Sequence, residues 1–429
     1  MQAQTADVVV VGGGLAGLAT ATHLARDRRA VVVLEKSSAL GGRAGTQARN
    51  GFHLNFGPHA LYRKGEGAAV LRDLGVAWTG GVPSASGGYA IDGGRRHALP
   101  GGFVSLLTTG LFGVAAKVEA ARLLASLPRL DPGPHQGVPV RTFLAEHVGH
   151  DDVRRLFAAL FRLATYANDP ARQSAGSAVA QLQLALAGGV EYLDGGWQTL
   201  VDALAAAVRS ANAVVRTGAG VDAVERADAG WRVRVRDGSV LAARAVVVAA
   251  APALVRDLLG ASACPPDLVP VRAACLDLAL SRLPEPRARF ALGIDHPLYL
   301  SVHSAVAKLS PDGGALIQLA KYLDGADDDP RSDERELEAL ADLVQPGWRS
   351  AVVERRFLPS MIVANALVTA EMGGTAGRPG AAVAGMPGVW LAGDWVGPDG
   401  LLVDASLASA RRAARLAAGR LDAGAAAAA

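Results

Sequence analysis

Six residues near the N-terminus carry the first recognisable chemistry. Gly12-Gly13-Gly14-Leu15-Ala16-Gly17 follow a run of valines and open a segment whose apolar residues recur at helical spacing. Eighteen positions beyond Gly17, a second valine run ends in Glu35-Lys36. In that setting each glycine has its own task. Gly12 allows the tight turn out of a strand, Gly14 lets backbone approach a pyrophosphate, and Gly17 lets helix and strand pack closely. The helix start at Leu15 and Ala16 offers unpaired N–H groups and the positive end of the helix dipole to phosphate oxygens. Glu35, with Lys36 beside it, sits where a carboxylate can accept hydrogen bonds from adenosine ribose hydroxyls. A glycine triplet alone is often only a turn. Strand, triplet, helix, strand and acid in this order specify an adenine dinucleotide.

Holding these residues in place takes a βαβ unit. Residues 7–11 and 30–34 read as short, wholly apolar strands, as in a parallel sheet buried on both faces, with a helix over 15–26 between them. Residues 213–216 and 220–225 read as further strands. Residues 231–236 alternate with period two, Asp237-Gly238 is a hairpin signal, and 245–250 return to the buried-strand pattern. Near the C-terminus, 388–392 form another apolar strand leading into Gly393-Asp394, with a long helix expected from Asp404. Between these islands, 84–194 are rich in Leu and Ala at helical spacing. Residues 257–380 hold strands at 273–281, 299–303, 315–322 and 351–357, and one helix capped by Ser332. The expected fold class is therefore α/β: a Rossmann-like, doubly wound parallel sheet assembled from discontinuous segments, with an inserted α+β substrate domain containing an antiparallel sheet. The boundaries read as 1–83, 195–256 and 381–429 for the nucleotide-binding domain, and 84–194 and 257–380 for the inserted domain. The alanine-rich tail after Leu421 reads as low-complexity and frayed.

Composition narrows the function. The chain has 429 residues, half of them hydrophobic, and a formal net charge of only +3 with scattered arginines, so no nucleic-acid partner is expected. Its two cysteines, Cys264 and Cys275, lie in unlike contexts and read as buried thiols, with no disulfide framework and no metal site. The first strand begins almost at once and no apolar run reaches the roughly 20 residues of a membrane span, so a cytoplasmic protein is expected. The most apolar stretch, 103–116, reads as a buried core helix. Tunnel lining or peripheral membrane contact stay open beside that reading. The sequence leaves the oligomeric state unknown.

Leu40-Gly41-Gly42-Arg43-Ala44 comes within one turn of Glu35, and the strand pattern over 51–56 ends in Gly57-Pro58-His59. With these residues the sequence resembles the flavin-containing amine oxidase superfamily, which includes phytoene desaturases and protoporphyrinogen oxidases. Trp390-Leu-Ala-Gly-Asp-Trp395, Gly400-Leu-Leu-Val-Asp-Ala-Ser406 and Tyr192-Leu-Asp-Gly-Gly-Trp-Gln-Thr-Leu200 match further segments of that superfamily, and the phytoene desaturase-like branch is favoured. The resemblance implies FAD as cofactor. It implies that Gly42 and Arg43 reach the pyrophosphate or ribityl region, that Val221 clamps the adenine through its backbone, and that Gly393 and Asp394 hold the ribityl chain or phosphate. Ala250, Gly57, Pro58 and His59 would complete the cradle. The last helix would aim backbone N–H groups near Leu402 and Val403 at the flavin pyrimidine, where negative charge gathers on reduction.

Candidates for proton transfer or substrate contact are fewer. His59 would pass the flavin ring, where an imidazole can polarise substrate or take a proton near neutral pH, with a packing role open beside it. Tyr166 lies in a segment resembling one that borders the substrate cavity, and its neighbours Asn168 and Asp169 read as turn chemistry. Relatives keep a lysine near the flavin, and Lys321 is the candidate here. The expected function is an FAD-dependent oxidoreductase, a desaturase or dehydrogenase that removes a hydride from an apolar substrate, isoprenoid or secondary-metabolite, to flavin N5. An amine or protoporphyrinogen-type oxidase is the alternative reaction, and a non-catalytic prenyl-lipid carrier of the same fold is the alternative of another class.

Overall fold

The computed structural model describes residues 4–84, 87–325 and 329–428. Two seven-stranded sheets organise it. In the first, the strands run in the order Val214–Arg216, Val31–Leu34, Gln4–Val11, Val240–Val248, Gly230–Val235, Val221–Ala227. Val389–Leu391 joins beside the C-terminal half of Val240–Val248, pairing Val246 to Val248. The first four strands and Val389–Leu391 are parallel to their neighbours, and the hairpin strands at the far edge are antiparallel. Val8, Val9 and Val10 are all fully buried, as expected of consecutive residues in a strand covered on both faces. Helices Leu15–Arg26, Gln198–Ser210 and Leu402–Ala428 pack on one face. Trp231, Trp395 and the helix Pro252–Leu259 cover the other.

The second sheet runs Val352–Ala364, Val271–Leu280, Ala315–Leu323, Leu298–Val302, Phe290–Gly293, Tyr89–Asp92, Arg95–Ala98. One face carries Leu276, Leu278, Ile317 and Leu319 and is covered by the helix Pro330–Val344 through Leu337, Leu340 and Val344. Its other face carries Cys275, Tyr299, Ala320 and Tyr322 and turns toward the nucleotide-binding segments.

Several elements depart from the sequence reading, each for a local reason. The covering helix is capped by Asp329, whose carboxylate accepts the Arg331 N–H at 3.0 Å, and Ser332 lies inside its first turn. Pro330 at the first helical position fixes φ and lacks only an N–H that would have no partner there. The strand expected to end at Phe357 continues to Ala364 through Pro359, which an edge strand tolerates because its outer N–H groups need no partner. The hairpin Tyr89–Asp92 to Arg95–Ala98 lies within a region read as helical, and Gly93 and Gly94 turn it with positive φ of 56° and 69°. The last helix starts at Leu402 rather than Asp404 and continues to Ala428, since alanine has the highest helix propensity.

The apolar stretch 103–116 is not one core helix. It breaks into Phe103–Thr108 and the start of Val114–Ser126, with Gly110 and Gly113 between them. Leu106, Phe112 and Ala116 are buried, while Val104, Leu107, Val114 and Val118 face solvent. Among the described residues, no helix is long and apolar enough to cross a membrane.

Candidate functional site

The glycine cradle is built by close approach. Gly12 has φ +110°, and a Cβ there would lie 2.3 Å from the Ala249 carbonyl oxygen. At Gly17 a Cβ would lie 1.9 Å from the Gly12 carbonyl oxygen, so only glycine lets this helix start so near the strand. Gly14 is different: its backbone is extended, and a Cβ would meet nothing nearer than the Gly41 carbonyl oxygen at 3.7 Å. Gly42, at φ +55°, also faces open space. Gly14 and Gly41 are bridged in parallel, and Gly41 donates its N–H to the Gly13 carbonyl at 2.9 Å. The two glycine-rich loops therefore form one continuous backbone wall. Glu35 braces it, accepting the Gly13 N–H at 2.7 Å and the Ser37 N–H at 2.8 Å. Its backbone carbonyl accepts the Ala219 N–H at 2.8 Å, which brings Val221 alongside, and Lys36 beside it is exposed.

From the other end of the chain, Asp394 accepts from Arg43 at 2.8 Å and from the Asn365 backbone and side-chain amides at 2.9 and 2.7 Å. Burial pushes its carboxyl up, but Arg43 and Asn365 outweigh burial and hold it below the usual aspartate value. Arg378 ties the following loop down by donating to the carbonyls of Asp394, Asp399 and Gly400. Trp395 donates its indole N–H to Ala250 at 3.0 Å, joining that predicted contact to the Gly393-Asp394 turn. Leu402 opens the last helix with φ +54°. A narrow cavity lies between Asp394, Leu401 and Leu402 and the walls Val271, Ala364, Ala366, Leu367 and Val368. A second cavity of about 140 Å³ shares Ala167, Val271 and Leu367 with it and has Asp169, Arg172 and Arg272 in its lining.

The turn Gly57-Pro58-His59 lies beside the second glycine loop. His59 Nδ1 is 2.9 Å from the Gly57 carbonyl oxygen, and its ring meets Trp197 edge-on at 4.8 Å. A carbonyl only accepts, so this contact places the proton on Nδ1 and leaves Nε2 as the basic nitrogen. Burial lowers the histidine's pKa, the backbone carbonyls of Gly57 and Arg43 work against that, and the charges of Arg43 and Arg356 add to the lowering. Tyr166, in the left-handed conformation after the helix Asp151–Thr165, donates to the Pro58 carbonyl at 3.0 Å. Beyond them, burial pushes His303 down to about 3; its ring stacks on Tyr192 at 3.7 Å.

Lys321 is a correction. Its neighbours Ala320 and Tyr322 face the site, so alternation along the strand turns Lys321 to the opposite face. There it pairs with Asp333 at 2.8 Å and Glu336 at 2.7 Å. Burial opposes its charge, and the two carboxylates outweigh burial and raise its pKa. It contacts nothing in the site. Asp169 does serve as turn chemistry, accepting the Arg172 N–H at 3.1 Å, whereas Asn168 reaches across to the second sheet and donates to the Tyr322 carbonyl at 3.1 Å. Sequence reasoning missed Trp197, Asn365, Arg378 and the Tyr192–His303 stack. Trp197 and Tyr192 were visible inside the Gly-Gly segment and His303 at the end of an expected strand; Asn365 and Arg378 lie in stretches with no periodicity to read.

The flavin containing amine oxidoreductase family model matches residues 15–274, more than half of the chain. The chain belongs to that family. It is an FAD-dependent oxidoreductase. Over 54 residues it is 52% identical to the phytoene dehydrogenase of Streptomyces griseus, a match taking in 13% of this chain and 11% of that enzyme. The fold is that of an oxidoreductase from Methanosarcina mazei, at TM-score 0.76 and 18% identity over 94% of this chain and 99% of the other. A putrescine oxidase variant shares it too, at TM-score 0.75 and 17% identity over 97% and 99%.

The residues present fit the FAD this family carries. Gly14 and Gly42 leave a seam that side chains would fill, the Leu15–Arg26 helix points its N-terminus at that seam, and the buried Trp197 indole N–H has no partner. Gly14→Val is therefore expected to fold with a parent-like circular dichroism spectrum yet release no flavin on denaturation. Gly17→Val, which clashes with backbone, should fail to accumulate as folded protein. A yellow Gly14→Val protein would contradict the cradle.

Asp404, in the first turn of the last helix, yields a pH prediction. Its Oδ1 accepts the Gly67 N–H at 2.7 Å, Oδ2 has no partner, and burial pushes the carboxyl up to about 7. The folded state thus holds a proton that the unfolded chain has lost, between the ordinary aspartate value and about pH 7. Stability contributed by this group falls as pH rises through that window. Thermal melts should show the parent losing stability relative to Asp404→Asn as pH rises from the ordinary aspartate range to about 7. Parallel pH profiles for the two proteins would disprove the assignment.

Proposed function

We propose that this flavoenzyme removes a hydride from one carbon of an apolar substrate of isoprenoid or other secondary-metabolite kind, the adjacent carbon giving up a proton to a base or to solvent, so that a new carbon–carbon double bond is left. The observation that carries the reading is the largely apolar inner face of the second sheet, where Cys275, Tyr299, Ala320 and Tyr322 stand with Leu358, Met361 and Val363 beside the Gly57–His59 turn. An apolar face of this kind suits hydrocarbon better than a charged substrate. The short, strong likeness to a phytoene dehydrogenase and the turning away of Lys321 support it.

FAD supplies the hydride-accepting ring when bound. The chain's own residues do the rest. Gly12, Gly14, Leu15, Ala16 and Gly17 would hold the pyrophosphate, with Glu35 and Lys36 on the adenosine side and Val221 and Ala250 completing the cradle. Gly42, Arg43, Gly393 and Asp394 would hold the central part of the cofactor, and the N–H groups at Leu402 and Val403 would meet the pyrimidine edge. His59, with Nδ1–H held by Gly57, keeps Nε2 available to polarise or deprotonate, and Tyr166 holds the turn carrying it. In this reading residues 1–83, 195–256 and 381–429 form the FAD-binding domain, and 84–194 and 257–380 the substrate-binding domain.

An anaerobic assay tests the reaction: bleaching of bound flavin near roughly 450 nm, the usual flavin band, against polyenes, porphyrinogens and amines. Polyenes should bleach it. Bleaching by amines alone, or by porphyrinogens alone, would replace the desaturase reading with an oxidase one. His59→Ala should keep the flavin and slow its reduction by a factor of about 10² to 10⁴, the usual worth of a general acid or base. An unchanged rate would leave His59 a packing residue.

The solvent-facing Val104, Leu107, Val114 and Val118 support a further step, in which the helices Phe103–Thr108 and Val114–Ser126 rest on a membrane surface that holds such a substrate. Co-sedimentation with phosphatidylcholine vesicles should occur for the parent and be lost in Val104→Ser/Val114→Ser. Equal sedimentation of the two would remove membrane contact from the account.

A further inference from the structure

Charged and amide side chains crossing the otherwise apolar inner face of the second sheet have no role in the reading above. Arg356, Asp277, Gln318 and Ser301 stand directly opposite one another on four neighbouring strands. All four are buried, Asp277 and Gln318 completely. Asp277 accepts from Arg356 Nε at 2.9 Å through one oxygen and from Gln318 Nε2 at 3.2 Å through the other. A buried ion pair contributes little net stability, because desolvating both charges offsets their attraction, and apolar residues of equal volume often stabilise more. Stability alone is therefore a poor reason for this row.

What the row touches gives a better one. Gln318 Nε2 also donates to the Gly57 carbonyl at 2.9 Å, and the Arg356 guanidinium donates to the Asn55 carbonyl and, at 3.1 Å, to Gln47 Oε1. Tyr166 holds the Pro58 carbonyl. Carbonyls at 55, 57 and 58 are thus each fixed by a side chain from the substrate side. Gly57 sits so close to the sheet that a Cβ would lie 2.5 Å from Met361 Cε and 3.0 Å from Cys275 Sγ. The Gly57 oxygen accepts from both Gln318 and His59 Nδ1, so the angle at which Gln318 holds it sets the angle of the imidazole.

We propose that Asp277, Gln318 and Arg356 are positioning residues for the redox reaction, gripping the Gly57–His59 turn and thereby orienting His59 toward the flavin. The proposal rests on the placement of His59 in the functional reading above. Asp277 orients both donors, Arg356 anchors the strand entering the turn, and Gln318 anchors the turn itself.

The test reads the midpoint potential of bound flavin in the FAD-loaded protein by equilibration with a reference dye, which needs no substrate. Gln318→Met keeps the length and removes the amide without stranding a charge; Asp277→Asn keeps the shape and removes the charge. His59→Gln serves as the reference. Each network variant should load FAD stoichiometrically and shift the potential in the direction of His59→Gln. The expected size is about a tenfold change in the oxidised-to-reduced ratio, close to 30 mV for a two-electron couple. Arg356→Lys keeps a cation beside Asp277 and should stay closer to the parent value than Asp277→Asn. A shift in His59→Gln with none in Gln318→Met, even if its melting temperature falls, would overturn the positioning role. No shift in His59→Gln would remove the placement of His59 on which it rests. Should Asp277→Asn not fold, Gln318→Met alone decides.

Discussion

The contact between Gly17 and the carbonyl of Gly12 governs the rest of the molecule. The helix Leu15–Arg26 begins so close to the first strand that a single methyl group would strike backbone at 1.9 Å. That closeness lets the valine strand be buried on both faces and aims the helix N-terminus at the seam between Gly14 and Gly42. The last helix packs against the same first helix, so the C-terminal part of the site takes its position from this contact too.

Around that seam the chain closes on itself from distant places. Arg43 and Asp394 are 351 residues apart and meet at 2.8 Å. Asp404 receives the N–H of Gly67 across 337 residues, and Gln318 reaches Gly57 across 261. Each closure joins a carbonyl, amide or charge on the nucleotide side to a partner contributed by another segment. Hydrophobic packing brings the segments together without direction. The directional bonds then fix which atoms face the cofactor, because a buried polar group left unpaired costs about 1 to 3 kcal/mol.

The sequence was most legible where local geometry and function make the same demand. Gly12 and Gly17 had to be glycine for local geometry and Gly14 for the approach of the cofactor, and the buried valine strands with Glu35 at their edge left little freedom. The hairpin at Gly238 and the strands of the second sheet were legible for the same cause: period and turn chemistry are local properties. Legibility failed where context overrides propensity. Pro359 marks a strand end in sequence, yet lies inside an edge strand where no N–H is missed. Residues 103–116 are apolar enough for a core helix, yet glycines divide them and Val104, Leu107 and Val114 face solvent.

By itself the sequence determined the family, FAD as cofactor and the glycines that admit it, since these are set by residue type at short spacing. Only the tertiary structure decided which side chains share the site. It turned Lys321 away to Asp333 and Glu336, brought Tyr166 to the Pro58 carbonyl, and set Arg356, Asp277 and Gln318 across the strands behind His59. The reason is geometric: strand alternation and cross-strand register decide which way each side chain points and what stands opposite it, and register pairs residues well separated along the chain.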